Sequence, residues 1–302
     1  MNSLPFDKPG HFWKGNLHTH STLSDGHLTP QQVCTRYREA GYAFISLTDH
    51  FLPKYGFPIA DTRADRSSDF TTILGAELHS GFLENGEKWH ILAVGLPLDF
   101  GRPGADESGP EIARRAAAAG AFVGVAHPNW YSLSEGDARA LGDVHAVEIF
   151  NGIAVDANDK ADSWHLMDIL SDRGLRAFAY AADDAHFTER YADFQRGWVQ
   201  VKSESLEPAQ LLAALKAGHF YSSTGPQIYD IHLGDDRVLT VRSSPVARIF
   251  VTGTGSKADR VWGNGIDQAT FDLSGFDSPW CRVTVRDEQG GRAWSNPIWL
   301  AE

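Results

Sequence analysis

The chain has 302 residues, 42% of them hydrophobic and 22% charged, and a formal net charge of -12. This is the composition of a globular protein long enough to bury a sizeable core. The acidic balance disfavours a long nucleic-acid polymer as partner, because such binding rests largely on neutralising phosphates.

Up to about residue 200 the chain alternates short apolar runs with helix signals. A first strand is expected to close at His18 and His20. Thr29-Pro30-Gln31-Gln32 is a capping box with proline in the first turn, and Gly41 ends the helix it opens. Residues 44–47, 71–77, 89–96, 121–127, 145–150 and 175–182 are apolar runs bounded by glycine or polar residues. Runs of this length fit strands buried on both faces. Pro110 opens a helix that closes at Gly120, a third is expected over residues 159–174, and a fourth from Pro208 to Lys216. Strand then helix, repeated about seven times, predicts a parallel α/β barrel or a doubly wound sheet. After Tyr221-Ser222-Ser223-Thr224-Gly225-Pro226 the pattern changes. The segments IYDIHL, RVLTVRS, ARIFVTG, ATFDLSG and WCRVTVRDEQGGRAWSNPIWL are short, β-rich and separated by turn residues. The expected organisation is an α/β unit over 1–226 and a small all-β, sandwich-like unit over 227–302.

Cys34 and Cys281 lie far apart in unrelated contexts, so neither a disulfide framework nor a thiolate metal site is expected. The opening MNSLPFDKPGHFWKGN has no basic segment followed by an apolar run, so no signal peptide is expected. The longest apolar run, 116–126, is too short to span a bilayer. The expected compartment is the cytoplasm.

The polar residues at the ends of these runs form a pattern. His18 and His20 close the first strand, and Asp25 follows in its loop. His50 comes just after the second strand, Glu77 ends the third, His90 lies in the fourth, and His127 follows the fifth. Asp184 and His186 follow the seventh. In a parallel barrel the carboxyl ends of the strands converge on one face, where active sites lie. Residues spread along the chain therefore meet in one pocket. Imidazole and carboxylate ligands without thiolate suit zinc, manganese or iron. Nine candidates, six His, two Asp and one Glu, suit two or three divalent ions sharing a bridging carboxylate. The remaining histidines, His11, His27, His79, His145, His165, His219 and His232, are assigned structural or surface roles. His79 and His27 each lie two residues from a proposed ligand.

NLHTHSTLSDG, LTDH, GAE, VAHP and DDAH, in this order, resemble the polymerase-and-histidinol-phosphatase (PHP) superfamily. That likeness covers about residues 14–200 and implies a distorted seven-stranded β/α barrel with up to three metal ions at its carboxyl face. The chain is also similar to a branch that includes carbaryl hydrolases. There the likeness extends through DDAHF, QRGW, FYSSTGP and RAWSNPIWL, over nearly the whole chain. Carried over residue by residue, the resemblance implies that His18, His20, Glu77 and Asp184 hold a first ion. Glu77 bridges to a second, completed by His90 and His127. Asp25, His50 and His186 hold the third. Asp183 competes with Asp184, and the D-x-H spacing favours Asp184. Many small phosphatases of the family follow the fifth-strand histidine with Pro-Gly-Arg. Here the run is His127-Pro128-Asn129-Trp130, without that arginine.

The implied reaction is hydrolysis of a small phosphate ester. A hydroxide generated at the His18, His20, Glu77 and Asp184 ion attacks phosphorus in line, and the ions stabilise charge on the oxygens. Candidate substrate contacts are Asn129 and Trp130, Glu148 and Asn151 at the end of the sixth strand, Arg190 and Arg196, and Ser223 and Thr224. Glu148 and Asn151 are assigned to substrate contacts or to contacts behind the ligands, not to metal, with a purely structural role as the alternative. An alternative keeps the site and attacks a carbonyl, giving a carbamate, amide or ester hydrolase. A second alternative is a non-catalytic binding module whose metals are structural. The expected partner is a small molecule, with no membrane and no nucleic-acid polymer.

Overall fold

A computed structural model describes residues 4–142 and 144–300. The outermost residues of both expected units, 1–3 and 301–302, lie outside the described residues. The α/β part carries β1 (His11–Asn16), α1 (Pro30–Glu39), β2 (Phe44–Ile45), β3 (His50–Phe51), β4 (Thr71–Thr72), β5 (Gly75–Leu78) and β6 (Ile91–Val94). It continues through α2 (Gly109–Ala118), β7 (Phe122–Val125), α3 (Glu135–Ala140), β8 (Ala146–Asn151), α4 (Ala154–Ala157), α5 (Trp164–Asp172) and β9 (Phe178–Ala182). Then come β10 (Trp198–Ser203), α6 (Pro208–Lys216), β11 (Phe220–Ser223), β12 (Ile228–Leu233), β13 (Val238–Gly253), β14 (Ala258–Asp272), β15 (Trp280–Arg286), β16 (Arg292–Ser295) and β17 (Ile298–Trp299).

Local chemistry explains the helix starts. Thr29 and Gln32 form the expected reciprocal capping box on α1, and Ser108 and Glu111 form another on α2. Gly41 and Gly120 follow those helices at φ 78° and 97°, a region that favours glycine. Helix α5 begins at Trp164, not at Asp159 as the sequence suggested. Asp159 has φ 59°, and Asp162 bridges to Phe150 and turns its carboxylate back to accept the Trp164 N–H. The short helices α3 and α4 were not anticipated, and helix content is modest for a chain read as regular strand–helix alternation.

The strands form two sheets. One runs β3-β5-β6-β7-β8-β9. The other runs β12-β13-β15-β16-β11-β10-β1-β2-β4, with β14 on β13 and β17 on β15. Main-chain bonds join them around one face: Asp184 N–H to His18 O, His20 N–H to Ala185 O, Thr48 N–H to Thr19 O, and Glu77 N–H to Thr48 O. The segments after β9, β1 and β2 and the end of β5 are thereby held side by side.

The expectation of uniformly parallel strands fails at β6, which runs antiparallel to both β5 and β7. An apolar run buried on both faces has the same composition in either direction, so the sequence does not reveal this. The reversal has a consequence for the site. His90 precedes β6, and because that strand is inverted, its amino end lies among the carboxyl ends of its neighbours.

The C-terminal strands pack their own core of Ile231, Leu239, Val241, Ile249, Val251, Val283 and Val285. Their sheet is continuous with the α/β part through β11 and β16, where Tyr221 pairs Ser295 and Ser223 pairs Ala293. RVLTVRS and ARIFVTG, read as separate strands, are one sixteen-residue strand, β13. Its register with β14 shifts between Arg242 and Val246, around Pro245, which has no N–H to give a ladder.

Candidate metal centre

The site is assembled by main-chain devices at strand ends. His18 and His20 are fully buried just past β1, where Asn16 donates its side-chain amide to His18 O at 2.7 Å. Asp49 accepts the Ser21 N–H and hydroxyl, both at 2.7 Å, and the Ser24 hydroxyl at 2.6 Å. This pins the loop that presents Asp25. His127 and Asp184 have φ of 24° and 53°, sparsely populated for residues with a Cβ. Glu148 accepts the His127 N–H, and His18 O accepts the Asp184 N–H, so both strained positions are held from outside.

The nine expected ligands converge. His20 Nε2 lies 2.9 Å from Asp184 Oδ1, and His18 Nε2 lies 3.3 Å from it. Glu77 Oε2 is 3.7 Å from His18 Nε2 and 3.8 Å from His20 Nε2. The other Glu77 oxygen faces His90 Nδ1 at 2.6 Å and His127 Nε2 at 3.2 Å. Asp25 meets His50 Nε2 at 3.3 Å and His186 Nε2 at 3.4 Å.

The donor set fits divalent cations. His18 Nε2, His20 Nε2, Glu77 Oε2 and Asp184 Oδ1 are buried and make no hydrogen bond of acceptable geometry. Four polar atoms left unpaired at one point are costly unless something joins them. Two ligands held about 2.1 Å from a tetrahedral ion stand about 3.4 Å apart, close to these separations. His79 joins the set unexpectedly, since His50, Glu77, His79 and His90 form one group able to close on an ion. His127 also groups with His18 and Asp184. The sequence did hold a signal for His79: residues two apart at a strand end share a face, so His79 follows Glu77.

Electrostatics favours cations here. Burial pushes the Glu77 carboxyl up, but His50, His90 and His79 override it and hold it well below the usual carboxylate range. Asp184 is likewise held low against burial by His18 and His20. Burial, with His186 and His50 nearby, lowers His20 to about 4, and burial lowers His90 to about 3. Both rings are therefore neutral at neutral pH. His50 goes the other way, raised to about 10 because Glu77 and Asp25 outweigh burial. Asp183 faces away from the cluster. It accepts N–H groups from Gln195, Arg196 and Gly197 and the Tyr37 hydroxyl, and burial still pushes it up to about 6.

A cleft of about 280 Å³ opens over the cluster, lined by Asp25, His50, His90, His127, Asp184 and His186 together with Trp130, Tyr131, Ile153, Thr188 and Tyr191. Among the described residues, no arginine or lysine lines it. Tyr131 stacks on His90 at 4.3 Å between ring centres. Of the expected substrate contacts, Trp130 is in this cleft. Asn129 lines a neighbouring cavity and donates to Asp162 O. Glu148 and Asn151 are buried behind the ligands: Glu148 Oε1 accepts from His18 Nδ1, and Asn151 donates to Glu148 and to Asp184 Oδ2. Arg190 is exposed, against the outer ring of Tyr191. Arg196 pairs with Asp156 at 3.6 Å. Ser223 bonds Pro226 O in the turn between β11 and β12, and Thr224 exchanges bonds with the Arg292 backbone at the start of β16. Tyr191, Ile153 and Thr188 were not anticipated, since loop residues of these types carry no distinguishing pattern.

Comparison with solved structures adds the fold. A two-domain protein from Bacteroides vulgatus containing a predicted PHP-like metal-dependent phosphoesterase superposes with a TM-score of 0.52. Identity is 15%, over 96% of this chain and 97% of that one. The two share a fold. The resemblance carried by the sequence motifs and the three-dimensional likeness thus point to the same PHP-like structures. An amidohydrolase from Chromobacterium violaceum is 18% identical over 59% of this chain and 89% of that one, with a TM-score of 0.43, too low to bear on the argument. No family model matches the chain, and no curated protein matches it. No helix among the described residues is long and apolar enough to cross a membrane.

Proposed function

We propose that this chain is a PHP-type metal-dependent hydrolase that cleaves a small phosphate ester at a di- or trinuclear centre. The observation that carries this reading is the set of buried, unpaired ligand atoms of His18, His20, Glu77 and Asp184 facing one point. Those four residues would hold one ion. Glu77 would share a second with His90 and His127, and Asp25, His50 and His186 would hold a third. Zinc, manganese or iron suits such donors. Ions bound there supply Lewis acidity and a hydroxide nucleophile near neutral pH.

The protein's own part is orientation and exclusion. Glu148 fixes the His18 ring so that Nε2, not Nδ1, points into the centre. Asn151 holds the Asp184 carboxylate. Trp130, Tyr131, Ile153 and Tyr191 wall the cleft and keep water from the reacting group's surroundings. The α/β unit, 1–226, would carry the whole centre and the β unit, 227–302, would buttress it. The likeness over nearly all of a two-domain protein supports that division. Two buried free cysteines fit a cytoplasmic enzyme.

A second reading has its own support. With no arginine or lysine among the described cleft residues, nothing but the ions would grip a phosphate dianion. Aromatic walls suit an uncharged carbamate, amide or ester instead. The test is elemental analysis followed by assay of the metal-loaded protein on a phosphate monoester and an aryl carbamate. Two or three ions per chain with phosphatase turnover supports the first reading, and turnover of the carbamate alone supports the second. Less than one ion per chain after loading with zinc, manganese or iron removes both.

A further inference from the structure

His79 was assigned no functional role from the sequence, and its surroundings suggest one. Its side chain is 2% exposed, directly after β5 and on the same face as Glu77. Nδ1 lies 2.9 Å from Trp89 O, a carbonyl that can only accept. The Nδ1 position must therefore carry the proton. In the neutral ring this leaves Nε2 as an acceptor, and Nε2 lies 2.9 Å from His50 Nδ1. His50 must then keep its Nδ1 proton, so Nε2 is the nitrogen that would give up its proton to an ion. That nitrogen is the atom facing Asp25 at 3.3 Å.

We infer that His79 is a positioning residue: through the chain Trp89 O, His79, His50 it sets the tautomer and ring angle of His50 for the ion held with Asp25 and His186. This inference rests on the metallohydrolase reading above. Glu77 Oε2 also lies 2.5 Å from His50 Nδ1. That contact lacks hydrogen-bond geometry and would in any case require the same Nδ1 proton, so it does not conflict. Glu77 oxygens are claimed as ligands by the centre, however, and His79 Nε2 is the acceptor that stays available. A ligating histidine whose second nitrogen is fixed by a hydrogen bond is the general device for orienting imidazole on a metal. Here the fixing group is a second histidine, anchored in turn on the loop that delivers His90.

The experiment uses the full chain loaded with zinc. Long-range proton–nitrogen NMR of the histidine rings reads the tautomers directly. The expected result is His79 protonated at Nδ1 with Nε2 free of metal, and His50 protonated at Nδ1 with Nε2 metallated. In parallel, zinc is titrated against a chelator into wild type, His79→Leu and His79→Gln. His79→Leu keeps bulk but cannot accept, and should weaken one class of zinc site by about 10- to 100-fold. His79→Gln can donate to Trp89 O and accept from His50, and should recover most of that affinity. A metallated His79 Nε2 would show it to be a ligand and overturn the inference, as would His79→Leu binding zinc like wild type. If wild type binds zinc at two or three sites while this happens, the broader reading stands alone. If wild type binds no zinc, both fall.

Discussion

Glu148 accepts a hydrogen bond from His18 Nδ1 at 3.1 Å, and its other oxygen accepts from the His127 N–H and the Asn151 amide. One fully buried carboxylate thus orients a ring that reaches the centre and the backbone beneath another.

Glu148→Gln tests that arrangement. A glutamine must present an NH2 to one of these sites, where the His127 N–H and the Asn151 amide are donors and His18 Nδ1 is a donor in the tautomer that leaves Nε2 free for an ion. One donor is left buried and unpaired, which costs about 1–3 kcal/mol. Denaturant unfolding in chelator should show that loss, and zinc titration should show affinity lower by about 10- to 100-fold. Unchanged affinity would mean that His18 is oriented without Glu148.

The adjacent aspartates separate cleanly. Asp183 is surrounded by donors and Asp184 by imidazoles. Asp183→Asn should lower unfolding stability by about 1–3 kcal/mol, since its NH2 must meet an N–H or hydroxyl donor. Asp184→Asn removes a negative charge from an imidazole cluster and should chiefly cost bound ions, read by elemental analysis. The reverse pattern would exchange the roles of the two residues.

Much of this centre was legible because ligand chemistry restricts residue types and strand ends restrict position. His18, His20, Asp25, His50, Glu77, His127, Asp184 and His186 could be picked out on those grounds. His90 falls among these residues by way of a strand that runs antiparallel to its neighbours, a direction no composition reveals. His79 was assigned a structural or surface role although it stands two residues from Glu77, on the same strand face. What it does depends on the tautomer demanded by Trp89 O, a main-chain atom ten residues away. Ser223 and Thr224 show the opposite error. Hydroxyls beside glycine and proline suggest an anion grip, yet Ser223 closes the turn after β11 and Thr224 ties β11 to the Arg292 backbone. The long strand β13 escaped notice because Pro245 interrupts its pattern at a bulge.

The cleft walls make a kinetic prediction. Trp130 lines the cleft and packs 5.7 Å from the His127 ring, between centres. Trp130→Ala should raise KM for an aryl substrate about tenfold, a loss of about 1.4 kcal/mol, with little change in ion content. Arg190→Ala, on the exposed side of Tyr191, should leave KM near wild type. If Arg190→Ala raises KM for a phosphate ester more than Trp130→Ala does, the arginine swings over the cleft and the phosphate reading gains.

Away from the centre, His145 predicts a dependence of stability on pH. Its Nδ1 accepts the Val123 N–H at 3.1 Å, so the folded protein needs that nitrogen unprotonated. Burial first, then the Lys216 charge, lowers its pKa below 6.5. The unfolded chain therefore binds the proton more readily than the folded one. The contribution of His145 is fully present above about pH 6.5 and is lost as pH falls through the lowered folded value. His145→Asn offers an acceptor on a similarly short side chain and does not titrate. The difference in melting temperature between wild type and His145→Asn should shift against wild type as pH falls from about 8 to about 5. Parallel profiles across that range would mean that the Val123 bond does not discriminate between the two forms of the ring.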